Sequence, residues 1–161
     1  MLLLVLILIP FIGCIRVALQ PSSERSREAW LAAAVGLIGL AVLAFQFPQI
    51  SQGEVLRYQI DWMPAYGLNL VLRMDGLAWL FSLLIVGIFL LVVLYARYYM
   101  SPQDPVPRFY AFLLAFMGAM LGVVLSGNLV QLVLFWELTS LSSFLLIGYW
   151  HHRSDARRGA R

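Results

Sequence analysis

One acidic residue lies inside an apolar segment and is the clearest candidate for chemistry. Glu137 falls near the middle of the run 129–149, whereas the other seven acids fall in polar stretches, in the tail or at a helix edge. A charged side chain at the centre of a membrane helix costs about 2.5–3.5 kcal/mol on insertion scales. The carboxylate therefore needs a proton, bound water or a cationic partner.

A carboxyl group in such a place is suited to carrying protons. Removal from water favours its neutral form, and a nearby cation favours its charged form. A group held between these two influences takes up or releases a proton when the cation moves. We therefore predict that Glu137 is a proton-coupling residue, the alternative being a carboxyl group that only forms hydrogen bonds between helices.

Hydroxyl side chains follow Glu137 along the same segment. At helical spacing Ser140 falls on nearly the same face as Glu137 and Ser143 lies further round, whereas Thr139 and Ser142 point elsewhere. Such hydroxyls bond a carboxylate, hold water or bond back to the helix backbone. We expect Ser140 and Ser143 to form a supporting polar face, the alternative being simple helix packing.

The composition excludes an ordinary soluble domain. Hydrophobic residues make up 62% of the 161 residues and charged residues 12%, against about 45–50% and about 25% in a typical soluble domain. Apolar runs close to the roughly 20 residues that cross a bilayer predict a single all-α membrane domain of about five transmembrane helices. The predicted helices are 1–19, 30–47, 76–97, 109–125 and 129–149.

Several residues set the expected boundaries. Pro48 is expected to end the second helix, and Asp75 is a candidate cap for the third. The turn-type cluster 126–128 divides a 42-residue apolar run into the fourth and fifth helices. Residues 49–74 carry Pro, Gly and scattered charges, which predicts an extended loop or a short hairpin on the membrane surface, without a span.

The arginines predict the orientation. All eleven basic residues are arginine, and they concentrate in the 20–29 loop, the 98–108 loop and the tail, which five crossings place on one side. Basic residues collect on the cytoplasmic side. We therefore expect a cytoplasmic C-terminus, an outside N-terminus and an extracytoplasmic 49–74 loop. The basic tail beside an apolar helix indicates a membrane flank, so no nucleic-acid partner is expected.

Other polar residues carry weaker signals. His151 and His152 are expected to be solvated interface residues, because no further ligands are spaced for a metal site. Asp61, Arg73 and Asp75 are expected to form a loop ion pair or a helix cap, the alternative being an outer ion entrance.

The sequence offers no cofactor motif and no enzyme active site. A phosphate loop, a nucleophile–base set and a dinucleotide fingerprint are missing from it, so we expect neither a cofactor nor an enzyme activity. Cys14 is expected to be a helix residue. It follows a faint lipoprotein-like box, but that segment lacks the positively charged region of a signal peptide.

Four segments carry a family resemblance. The segment 135–150, FWELTSLSSFLLIGYW, resembles a helix of the large A-type component of the multisubunit Mrp-type Na⁺/H⁺ antiporter. Residues 122–128, 73–77 and 155–161 are similar to the same family. Antiporter-like membrane subunits of complex I belong to the same superfamily and share the Trp-Glu pair at 136–137, but the stretch 138–143 favours the antiporter branch.

The resemblance implies a function. Glu137 matches the essential carboxylate of the family, which pairs there with a lysine on a later helix, whereas this chain has no lysine. It implies the amino-terminal part of a monovalent cation (Na⁺)/proton antiporter subunit in a bacterial cytoplasmic membrane, with other subunits, lipid, protons and Na⁺ as partners. The alternatives are a proton-pumping subunit of a complex I-type NADH:quinone oxidoreductase and a transport-inactive membrane scaffold.

Overall fold

The structure is a computed structural model that describes residues 1–20, 25–63, 68–100 and 106–150. This part of the chain forms five α-helices, which confirms a mostly helical fold, and a two-stranded antiparallel hairpin, which is one of the two forms predicted for residues 49–74. In chain order the elements are α1 Leu2–Ala18, α2 Arg25–Ser51, β1 Leu56–Met63, β2 Leu68–Met74, α3 Gly76–Tyr99, α4 Val106–Leu125 and α5 Leu129–Ile147, with a 3-10 turn at Gly148–Trp150.

Most of the described helices have the length and composition of membrane spans. Four segments qualify, namely Arg27–Ser51 within α2, and α3, α4 and α5. The first helix, α1, is also apolar, but its 17 residues place it at the short end of the range of about 17–25 residues that spans a bilayer. The chain is therefore a multi-pass membrane protein.

The second helix is longer than the sequence predicts. It begins at Arg25 and continues to Ser51, so the prediction that Pro48 ends it is wrong. A proline removes one N–H and crowds the carbonyl four residues earlier, but here only one turn of helix remains beyond it. The Ser51 hydroxyl closes that turn by donating to the Pro48 carbonyl at 2.9 Å.

The start of α4 also differs from the prediction. The helix begins at Val106 rather than at Phe109, with Pro107 in its first turn. Proline is tolerated there because the N–H groups of the first turn have no partner within the helix. The other helices end within two residues of the predicted positions, and α5 stops at Ile147 because Gly148 begins the 3-10 turn.

Two predicted helix starts are confirmed in atomic detail. The Asp75 carboxylate accepts the backbone N–H of Ala78 at 2.9 Å and caps α3. The turn at 126–128 separates α4 from α5, and the side chain of Asn128 caps α5 by accepting the backbone N–H of Gln131 at 2.7 Å.

The fourth helix forms the centre of the described bundle. Most of its residues are buried, whereas α3 and α5 expose large apolar side chains along most of their length. A Cβ placed at Gly118 would lie 3.0 Å from the Phe11 ring of α1, and one placed at Gly122 would overlap the Phe135 ring of α5. The Gly118–Gly122 pair therefore lets two helices approach α4 closely, which is what small residues four positions apart allow in membrane helices.

The bundle has two chemically different ends. We call one the arginine end, because Arg16, Arg27, Arg97 and Arg108 lie there at the ends of α1 to α4. We call the other the hairpin end, because β1 and β2 lie across it. Strand β2 buries Leu72 and Met74 completely against the helices, so the hairpin covers the apolar core at this end.

Candidate proton-coupling site on helix α5

The first turn of α5 is fixed to the hairpin by three hydrogen bonds. The side chain of Gln131 accepts the Val71 backbone N–H at 2.9 Å, and the Gly127 N–H donates to the Val71 carbonyl at 2.7 Å. The Asn128 side chain donates to the Asn69 carbonyl at 2.6 Å. These bonds satisfy both backbone groups of Val71 on the free edge of β2 and orient the start of α5.

One side of α5 packs against the bundle. Phe135 fits over Gly122 of α4, and Ser142 is buried on the same side. Beyond the arginine end of α5, the Tyr149 ring meets Phe109 of α4 edge-on, with 5.7 Å between the ring centroids. The helix is thus held to α4 along one seam and leaves its other sides uncovered by the described residues.

Glu137 lies at the midpoint of α5 on the uncovered side and is exposed. Its neighbours on that face are large and apolar, with Leu134 exposed to 65% and Val133, Leu141 and Phe144 exposed to about half. Among the residues that the structure describes, none forms an ion pair or hydrogen bond with its carboxylate. A partner for this group therefore has to come from outside the described bundle or from water.

The hydroxyl groups near Glu137 bond mainly to the helix backbone. Thr139 donates to the Trp136 carbonyl at 2.6 Å, and Ser142 donates to the Leu138 carbonyl at 2.7 Å. Ser140 is exposed, lies about 60° round the helix from Glu137, and makes only a long 3.5 Å contact with the Trp136 carbonyl. Ser143 is half-buried, about 120° from Glu137. Ser140 thus shares the face of Glu137, and Ser143 lies on its flank.

Two buried polar residues of α2 were not predicted from the sequence. Glu28 is only 2% exposed and Gln46 only 1%, and the Gln46 side-chain oxygen has no hydrogen-bond partner among the described residues. Their positions coincide with the buried stripe of α2, whose further members are Ala29, Ala32, Gly36, Gly39, Leu43 and Ile50. This spacing was a signal in the sequence for the burial of Glu28, because the helical period extended back from Leu43 reaches that residue. The sequence prediction instead assigned Glu28 to the polar connection 20–29.

The weaker candidates have local structural roles. Arg73 and Asp75 form an ion pair at 3.3 Å, and Asp61 accepts a hydrogen bond from Gln59 at 2.7 Å, both on the exposed surface of the hairpin. Cys14 is a half-buried free thiol in α1. His151 and His152, with the arginines of the tail, lie outside the described residues.

Two family descriptions match this chain. "NADH-Ubiquinone oxidoreductase (complex I), chain 5 N-terminus" matches residues 62–110, and "NADH:quinone oxidoreductase/Mrp antiporter, TM" matches residues 126–160. The second match covers all of α5, including Glu137.

Curated relatives agree with these matches. The chain is 59% identical over 160 residues to a probable K⁺/H⁺ antiporter component, of type A/B, from Rhizobium meliloti, covering 99% of this chain and 16% of the relative. It is 45% identical over 160 residues to the A-type component of a Na⁺/H⁺ antiporter from Alkalihalophilus pseudofirmus, covering 98% of this chain and 19% of the relative. The chain thus spans less than a fifth of the length of these relatives.

Solved structures show the same fold. The Mrp complex from Dietzia sp. DQ12-45-1b matches 99% of this chain and 17% of its own, with a TM-score of 0.81 and 25% identity. The membrane-bound sulfane sulfur reductase, an archaeal respiratory membrane complex, matches 89% of this chain and 22% of its own, with a TM-score of 0.74 and 26% identity.

The fold and the relatives together define an antiporter-like integral membrane protein. The chain belongs to the family of membrane subunits shared by NADH:quinone oxidoreductases and Mrp antiporters. Within that family it is similar to the A-type component of the Mrp antiporters.

Proposed function

We propose that this chain is part of a monovalent cation/proton antiporter subunit of a bacterial cytoplasmic membrane, and that Glu137 carries its proton. The observation that carries the proposal is the position of Glu137 at the midpoint of a membrane helix, on an apolar face that the described residues leave uncovered. An unpaired carboxylate facing hydrocarbon is costly, and ionisable residues at such places mark ion and proton pathways.

A cationic group from another helix would complete the site. The chain contains no lysine, and its described arginines lie at the two ends of the bundle rather than beside Glu137. A neighbouring segment or subunit seated on the uncovered face of α5 would bring that cation to the carboxylate and remove both from lipid. Approach of the cation would favour release of the proton, and its retreat would favour uptake.

The named relatives leave two candidate cations. One relative is named for K⁺ and the other for Na⁺, and we propose that the same carboxylate serves the proton half of the exchange in either case. Ser140 shares the face of Glu137 and is proposed to hold water or donate to the carboxylate. Ser143, on the flank, is proposed to complete the polar face.

Antiport in everted membrane vesicles tests the proposal. The complete transporter carrying Glu137→Gln is expected to lose exchange of protons for both Na⁺ and K⁺, whereas Glu137→Asp retains part of it. Glu54→Gln is the matched control, because Glu54 is an exposed carboxylate beside the hairpin. Assembly of the complex is checked on native gels, so that loss of transport is separated from loss of protein.

Two results would contradict the role of Glu137. Full exchange in Glu137→Gln would show that the Glu137 carboxyl group carries no proton, and would support the alternative that this chain is a membrane scaffold without a transport role. Loss of exchange in Glu54→Gln to the same degree would show that the assay responds to any lost carboxylate. Ser140→Ala is expected to slow exchange modestly, and Ser142→Ala, whose hydroxyl bonds only the backbone, is expected to leave it unchanged.

A second candidate is a proton-pumping subunit of a complex I-type NADH:quinone oxidoreductase. The family match at residues 62–110 favours it, because its description names complex I alone. Proton movement would then depend on NADH and quinone and not on a sodium or potassium gradient. Measuring proton uptake by vesicles with each energy source in turn separates the two candidates.

A further inference from the structure

A pocket at the hairpin end lies between the start of α1, the last turns of α2 and strand β1. It encloses about 230 Å³, and half of its lining side chains are polar. Its mouth is open, because Met1, Gln49 and Arg57 are exposed. The complete lining is Met1, Leu2, Leu3, Gln46, Gln49, Leu56, Arg57 and Tyr58.

One polar side chain of this pocket is buried without a protein partner. Gln46 is only 1% exposed, and its side-chain oxygen accepts no hydrogen bond from the described residues. That oxygen is fully enclosed, so the amide nitrogen is the atom that meets the pocket. A half-turn about the last side-chain bond exchanges the two atoms in place. A buried amide without partners is costly, so the pocket has to supply them.

Water suits this pocket better than an ion does. A buried water needs two to four polar partners, and Gln46, Gln49 and Tyr58 offer both donors and acceptors. The pocket is also far larger than the roughly 15 Å³ that one water requires. Charge selects no ion here, because Arg57 disfavours a cation and the exposed Glu54, three residues earlier in the chain, disfavours an anion.

Gln46 marks the floor of the pocket. It lies five residues before the end of α2 at Ser51, which is about 8 Å along the helix. One turn deeper on the same buried stripe, Leu43 is completely buried, and Leu6 of α1 is 1% exposed. Water that reaches Gln46 from the hairpin end therefore goes no further into the bundle.

We infer that ordered water fills this pocket and joins strand β1 to α1 and α2. Between described residues, the hydrogen bonds from the hairpin to the bundle all start from β2 and lead to the turn at 126–128 and to α5. Water bonded to Gln46 on one side and to Tyr58 on the other connects β1 as well, because a bridging water is nearly as favourable as a direct bond. The inference does not depend on the role of Glu137.

Radiolytic labelling with hydroxyl radicals tests this inference. The complete protein that carries this chain is placed in lipid nanodiscs, mixed rapidly with water carrying a heavy oxygen isotope, and exposed to an X-ray pulse. Oxidised side chains are then mapped by mass spectrometry. Because the radicals form from water and react close to where they form, a buried side chain is oxidised only where water touches it.

The expected pattern separates the pocket from its surroundings. Leu3 lines the pocket and is expected to be oxidised, whereas Leu6, one turn along α1, is expected to stay at background. Met117 lines a groove between α3 and α4 whose nine side chains are all apolar, and it is expected to stay unoxidised although its thioether is the more reactive group. Heavy oxygen is expected to reach Leu3 later than the exposed Val55, because ordered water exchanges slowly.

A variant assigns the water to the Gln46 amide. Gln46→Leu keeps the size of the side chain but removes its hydrogen-bonding groups, so oxidation of Leu3 is expected to fall to the background of Leu6. The unfolding temperature is expected not to rise. If the amide were dry, its replacement by leucine would remove an unpaired polar group and would raise that temperature. Gln52→Leu, an exposed amide outside the pocket, is the control and is expected to change neither measurement.

Four results would overturn the inference. Absence of oxidation at Leu3 in the unchanged protein would show that the pocket is dry or covered by protein or lipid. Heavy oxygen arriving at Leu3 as fast as at Val55 would show bulk solvent without ordered water. Loss of Leu3 oxidation in sodium or potassium chloride, but not in choline chloride, would show a cation site. A higher unfolding temperature in Gln46→Leu would show a dry amide. The labelling of the unchanged protein needs no variant, so it decides the question even where a substitution prevents folding.

Discussion

The side chain of Gln131 accepts the backbone N–H of Val71 at 2.9 Å, which joins the first turn of α5 to the free edge of the hairpin. The two residues are sixty positions apart in the chain. Through this contact the hairpin fixes where the helix that carries Glu137 begins.

Gln131→Leu is expected to loosen this junction. The substitution keeps the side chain large but leaves the Val71 N–H without its acceptor, which costs about 1–3 kcal/mol for a buried group. Hydrogen exchange at the Val71 amide is expected to accelerate. Gln52→Leu removes an exposed amide side chain outside both strands, and it is expected to leave that exchange rate unchanged. An unchanged rate in Gln131→Leu would contradict the assignment.

Gly122→Ala is expected to separate α4 from α5. Its new Cβ would overlap the Phe135 ring, and overpacking of this kind costs about 1–3 kcal/mol. The thermal unfolding temperature in detergent is expected to fall, and Phe135→Leu in the same chain is expected to restore part of the loss. Gly87→Ala is the control, because nothing lies within 4 Å of a Cβ there, and it is expected to be neutral or mildly stabilising.

Trp79→Phe is expected to weaken the contact between α2 and α3. The indole N–H donates to the Leu43 carbonyl at 2.9 Å, and the ring packs against Phe47 with centroids 5.2 Å apart. Phenylalanine keeps most of the ring contact but loses the hydrogen bond, a cost of about 0.5–1.5 kcal/mol in unfolding free energy. Trp136→Phe, on the exposed side of α5, is expected to leave stability unchanged. Equal effects from the two variants would assign the loss to general removal of tryptophan.

Asp75→Ala is expected to destabilise the start of α3 by about 1 kcal/mol, the usual value of a side-chain cap. The ion pair with Arg73 is solvent-exposed and contributes little. Asp75→Asn keeps an oxygen that accepts the Ala78 N–H, so it is expected to retain most of the stability. If Asp75→Asn lost as much stability as Asp75→Ala, the charge rather than the cap would be responsible. Circular dichroism during thermal unfolding provides the measurement.

The sequence predicted those features that depend on length and on local chemistry. Apolar runs near 20 residues located the helices, and Asp75 and the turn at 126–128 marked helix starts through their capping side chains. Proline was the misleading signal at residue 48, because its effect depends on how much helix follows it. A proline one turn from a helix end is compatible with continuation.

Side-chain direction could not be predicted in the same way. In a soluble protein the apolar face of a helix shows which side is buried, but in a membrane helix every face is apolar. Nothing in the periodicity therefore revealed that Glu137 points away from α4, whereas the helical period of α2 did offer a signal for the burial of Glu28. The position of an acid inside an apolar segment identified Glu137 and the family resemblance agreed with it, and the structure adds the face on which a partner would have to approach.

The two side chains that β2 buries at the hairpin end have an electrical consequence. Leu72 and Met74 cover the hairpin end of the described bundle with apolar side chains, and Leu125 and Ile50 are also buried at that end. A hydrated ion that arrives there meets a layer of low dielectric constant, so the bundle itself insulates against proton leak. With the role proposed for Glu137, the uncovered side of α5 is the part of this chain where a proton would be transferred.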